Sequence, residues 1–173
     1  GRSWEPQIER FAENYRVITY DIRGHGRTGE TATAEYSIDL FADDLETLLT
    51  RLDVEQPILV GLSVGGMIAR TLLERQPDSI RGAVVGGPVE SVPSLGFADL
   101  NPFFSPVQSV SQMVSTLGSA GTFRALLNAM RAANGGPWLS LDADVREQAI
   151  SAAGAVTKAE YTKIFRALYD HDP

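Results

Sequence analysis

The run Gln56-Pro57-Ile58-Leu59-Val60 enters Gly61-Leu62-Ser63-Val64-Gly65 without a break, and helical spacing starts at once behind it. No other stretch narrows the possible folds as far. A short apolar run stopping at Gly61 is the pattern of a buried strand, whereas Met67, Ile68, Leu72 and Leu73 recur at helical intervals until Pro77 closes the pattern. Ser63 is therefore expected at the corner between a strand and a helix. So sharp a corner brings backbone close to backbone, and the positions two before and two after the serine, Gly61 and Gly65, are expected to need the smallest side chain. A helix beginning at Val64 directs its unpaired N–H groups and positive dipole end toward the serine. That makes Ser63 a candidate nucleophile and the Val64 N–H a candidate oxyanion donor. Glycines on both sides of a serine also make an ordinary strand-to-helix loop, so the rest of the chain has to decide.

Ahead of this corner, Trp4, Ile8, Phe11 and Tyr15 follow helical spacing, with Ser3 as N-cap and Pro6 tolerable in the first turn. Residues 16–22 are rich in β-branched and aromatic side chains and run into the glycine-punctuated loop Arg23-Gly24-His25-Gly26-Arg27, the pattern of a strand with a tight exit. Ser37 caps a second helix, with Phe41, Leu45, Leu48, Leu49 and Leu52 on one stripe and Asp39, Asp43, Asp44 and Glu46 on a solvated face. A third strand is expected over residues 80–87. Helix, strand, helix, strand, helix, strand is the order of an α/β fold, a partial doubly wound parallel sheet.

Beyond Gly87 the character changes. Residues 88–106 are rich in Pro, Ser and Gly, and helical patterns alone follow, around 107–117, 122–133, 142–153 and 158–169. The expected division is a core over residues 1–90 and a helical subdomain over 91–173. Phe103, Phe104, Met113, Leu117, Phe123, Leu126, Leu127, Met130, Trp138 and Leu139 are either lining for a substrate cavity or the subdomain's own core.

Composition narrows the partners. With 22 acidic against 15 basic residues and a net charge of −7, the chain lacks the clustered cations that a nucleic-acid backbone requires. It has no cysteine, so disulfides and thiolate metal sites are out, and no apolar run of about 18 residues for a membrane span. A soluble, cytoplasmic protein with a small-molecule substrate, no cofactor and no metal is the expectation; composition leaves the oligomeric state open.

Taken together, Tyr20-Asp21-Ile22-Arg23-Gly24-His25-Gly26 and Gly61-Leu62-Ser63-Val64-Gly65-Gly66-Met67, in this order and followed by a helical insertion, resemble the α/β-hydrolase fold family. The wording is most similar to the cofactor-free branch that includes 3-oxoadipate enol-lactonases and non-haem haloperoxidases. The resemblance implies Ser63 as nucleophile, the Val64 N–H as one oxyanion donor, and a helical cap over residues 91–170. A serine at this corner sets the chain apart from haloalkane dehalogenases and epoxide hydrolases, which carry aspartate there. The implied reaction is hydrolysis of a carboxylic ester or lactone through an acyl-enzyme. Carbon–carbon bond hydrolysis, peroxyacid formation, a lyase step on the same fold and a catalytically silent binding protein are the alternatives.

A serine nucleophile needs a histidine base, and the base needs an acid to hold its tautomer. The family supplies both after the cap, and the second oxyanion donor from a His-Gly loop ahead of the first helix. His25 precedes the serine and matches a structural position of the family; His171 reads as a surface residue; Glu90 falls slightly late for the acid. The expectation is therefore an internal piece of a longer protein, inactive and prone to associate through open strand edges when isolated.

Overall fold

The computed structural model describes residues 4–87, 106–134 and 143–171. They fall into two compact units, one of residues 1–31 and 109–162, the other of residues 32–108 and 163–173.

The second unit holds the expected corner. Helix α2 (Ile38–Arg51) starts where Ser37 Oγ accepts the Leu40 N–H at 3.0 Å, which confirms the cap. Strand β1 (Ile58–Leu62) is followed by helix α3 (Val64–Arg75), a short 3-10 turn (Pro77–Ser79) and strand β2 (Gly82–Gly86). β1 and β2 pair in parallel with Val60 opposite Val84, a βαβ unit with α3 as its crossover.

Alternation along β1 sends Leu59 and Gly61 inward toward α3 and leaves Ile58, Val60 and Leu62 more than half exposed, with Val84 of β2 beside them. The core of the unit is Ile38, Phe41, Ala42 and Leu45 of α2 against Met67, Ile68, Ala69 and Leu72 of α3. Tyr36 stands edge-on to Phe41 with ring centroids 5.4 Å apart, and Lys163 Nζ lies 5.1 Å from the Tyr36 ring centroid. Of the carboxylates of α2 expected on a solvated face, Asp39 and Asp43 are exposed while Asp44 and Glu46 are half-buried. Arg75, at the end of α3, binds Asp43 at 2.7 Å and also Asp39, and Gln76 Nε2 donates to Glu46 Oε1 at 2.6 Å.

In the first unit, helix α1 (Glu5–Ala12) carries Pro6 in its first turn and buries none of its residues; the expected cap, Ser3, lies outside the described residues. Residues 16–22 correct an expectation, because they carry no ladder among the described residues, whose only sheet is β1 with β2. A β-branched composition raises strand propensity, but a strand exists only where a second segment takes up its N–H and C=O groups.

Helix α4 (Pro106–Asn134) joins the two helical patterns expected at 107–117 and 122–133 through a single non-helical residue, Gly118, at φ 72 and ψ 172. The positive φ is that of a residue closing one helix, and the extended ψ is that of a residue capping the next, a combination open to glycine. Helices α5 (Ala143–Gly154) and α6 (Lys158–Tyr169) follow. Ser119 Oγ donates to the Val156 carbonyl at 2.7 Å, and Arg124 grips Glu147 through two bonds of 3.1 and 2.9 Å. Val110, Val114, Ile150 and Val156 are buried. Of the candidate lining residues, Met113, Phe123, Leu126 and Leu127 are half-buried and Leu117 is exposed, while Phe103, Phe104, Trp138, Leu139 and the Met130 side chain lie outside the described residues.

Candidate active site

Ser63 sits at the corner with φ 54 and ψ −119, a backbone conformation that side-chain-bearing residues adopt at a cost of roughly 1–3 kcal/mol. The surroundings hold it there. Its N–H donates to the Gly86 carbonyl of β2 at 2.9 Å, extending the sheet by one bond, while its own carbonyl accepts from the amides of Gly66 at 2.8 Å and Met67 at 3.0 Å, the first turn of α3. The amides of Val64 and Gly65 are thus the leading N–H groups of the helix, ahead of the intrahelical ladder. The Ser63 side chain is exposed, and among the described residues its Oγ has no hydrogen-bond partner.

The glycines around it divide the work differently from the expectation. A Cβ on Gly61 would lie 2.1 Å from the Gly65 carbonyl oxygen and 2.6 Å from the Gly66 nitrogen, so Gly61 is required by direct backbone contact. At Gly65 a Cβ would meet nothing within 4 Å, which corrects the view that both positions are crowded. The close approach is made by the Gly65 backbone. Gly66, which spacing alone did not single out, is the tighter position on the helix: a Cβ there would stand 2.9 Å from Val85 Cγ1 of β2. A third glycine in Gly61-x-x-x-Gly65-Gly66 was the available signal for close helix–sheet packing.

His25 belongs to the other unit, in a loop closed by Gly24 N–H to Gly29 O at 2.9 Å and Gly29 N–H to His25 O at 3.1 Å. Its Nδ1 lies 3.4 Å from the Arg23 carbonyl. Burial pushes the imidazole below its ordinary range, opposed by that carbonyl and by the carboxylates of Asp21 and Glu160. Asp21 fastens the same loop: Oδ2 accepts the Arg27 N–H at 3.1 Å, which holds its carboxyl below the usual range, and its carbonyl accepts from Thr28 Oγ1. A Cβ on Gly26 would fall 2.3 Å from that carboxylate oxygen. Glu160, only 2% exposed in the first turn of α6, was not anticipated; its N–H donates to Thr157 Oγ1 at 3.5 Å, and Thr157-x-x-Glu160 is a recognisable capping pattern. His25 is thereby placed in a structural loop. His171 follows α6 and is half-buried rather than fully exposed, and Glu90 lies outside the described residues.

A histidine with a lowered folded-state value binds fewer protons folded than unfolded, so its contribution is complete above the unfolded value near 6.5 and declines as pH falls below it. Urea midpoints measured from pH 7.5 down to 5 should therefore fall for the native protein. His25→Gln, which cannot titrate, should show a flatter decline; equal slopes in both would remove His25 from the acid sensitivity.

A cavity of about 430 Å³ in the second unit is bounded by Glu46, Thr50, Pro57, Leu72, Gln76 and Asp78, among others. It opens at the entry to β1, and Ser63 stands at the exit, about 16 Å away at the rise of a strand. It is no part of the serine site.

The model of the alpha/beta hydrolase fold family matches residues 1–169 of the chain. A Synechocystis protein with a provisional non-heme chloroperoxidase name is 42% identical over 91 residues, covering 51% of this chain and 33% of that protein. The 3-oxoadipate enol-lactonase 2 of Acinetobacter baylyi is 35% identical over 82 residues, covering 47% and 30% respectively. The crystal structure of the enol-lactonase from Burkholderia xenovorans superposes with a TM-score of 0.73 at 21% identity, over 99% of this chain and 61% of that one, a likeness of fold. The chain thus spans about a third of the length of these curated relatives. A match over nearly the whole chain, joined to a serine held at positive φ between a parallel strand and a helix, identifies this protein as a member of the alpha/beta hydrolase fold family.

Proposed function

We propose that the protein is a serine hydrolase acting on a carboxylic ester or lactone, with Ser63 as nucleophile and the Val64 N–H as one oxyanion donor. The observation that carries the reading is the positive φ of Ser63 at the junction of β1 and α3. Strain of this kind persists where it serves a purpose, and here it accompanies an exposed hydroxyl with no hydrogen-bond partner among the described residues, at the positive end of a twelve-residue helix.

In the proposed reaction Ser63 Oγ attacks the carbonyl carbon while a histidine base takes its proton. The developing oxyanion is met by the Val64 amide, the alcohol leaves with the proton, and water hydrolyses the acyl-enzyme by the reverse sequence. For a lactone, the leaving alcohol stays tethered to the acyl group. The base and its orienting acid are not assigned to His25, which is held in its loop, nor to His171. Membership of a family that includes an enol-lactonase relative supports the substrate class.

The proposal extends to organisation: residues 1–90 as core and 91–173 as helical cap subdomain, supported by the helices α4, α5 and α6 and the absence of any strand among the described residues from Pro106 onward. Among the described residues no helix is long and apolar enough to cross a membrane. A cytoplasmic location and a small-molecule substrate, with no nucleic-acid partner, belong to the same proposal.

Rapid mixing of the protein, as expressed from its gene, with a p-nitrophenyl ester tests the acyl-enzyme. The expected trace is a burst of p-nitrophenol of about one equivalent per active site, followed by a slower steady state, provided deacylation limits turnover. Absence of both burst and turnover across ester and lactone substrates would instead favour a binding protein built on this fold.

A further inference from the structure

We draw no further inference here: the strongest candidate, the exposed apolar face of the β1–β2 sheet formed by Ile58, Val60, Leu62 and Val84, carries none because nothing in the structure shows what covers it.

Discussion

Ser63→Ala is expected to lower kcat/KM for ester hydrolysis by roughly 10³- to 10⁶-fold, the range seen when a serine nucleophile is removed, with the loss in kcat. The hydroxyl forms its decisive bond only on the way to the acyl-enzyme, so ground-state affinity and KM should change little. Stability should stay near that of the native protein, because alanine inherits the same positive φ and Ser63 Oγ has no hydrogen-bond partner among the described residues. Ser63→Gly separates strain from chemistry. It should be equally inactive yet more stable by roughly 1 kcal/mol, since glycine adopts φ 54 without a steric penalty. Urea denaturation of the three proteins alongside their ester kinetics measures both effects; a Ser63→Ala variant with native turnover would leave the corner as architecture alone.

The second large effect is structural. Gly61→Ala puts a Cβ 2.1 Å from the Gly65 oxygen and 2.3 Å from its carbon, contacts with backbone that cannot swing away. The corner must open, and overpacking of this severity should cost about 3 kcal/mol or more, a large share of the stability of an ordinary domain. Gly65→Ala is the control. Its Cβ meets nothing within 4 Å, and alanine favours a helix interior by up to about 1 kcal/mol over glycine, so its urea midpoint should match or exceed the native one. Equal destabilisation by the two variants would contradict the assigned roles. The motif treats both glycines alike, and only the geometry distinguishes them.

What could be read from the chain was local. The switch from an apolar run to helical spacing around Ser63, the Ser37 cap and the two helical patterns meeting near Gly118 depend on residues within a turn or two of one another. What escaped was set by distance in sequence. Residues 16–22 have strand composition, but pairing depends on a partner that composition cannot supply. Asp39 and Asp43 had the pattern of a solvated face and are solvated, yet both bind Arg75, more than thirty residues away. Gly66 carried only a general signal of close packing, a third glycine around the serine, since its crowding comes from Val85 on the far strand of the crossover. The site divides in the same way. The proposed nucleophile, Ser63, and the Val64 amide are neighbours in sequence, so the corner that carries them was legible as a unit, whereas a base and its acid are brought to a serine only by tertiary structure.

The most direct test of Ser63 as the nucleophile is covalent capture with a fluorophosphonate, which phosphonylates an activated serine Oγ with loss of fluoride. Peptide mass mapping of the labelled protein should find the adduct on Ser63, at close to one per chain, and Ser63→Ala should take up none. A stoichiometric adduct on another residue, or equal labelling of the Ser63→Ala variant, would contradict the assignment of Ser63.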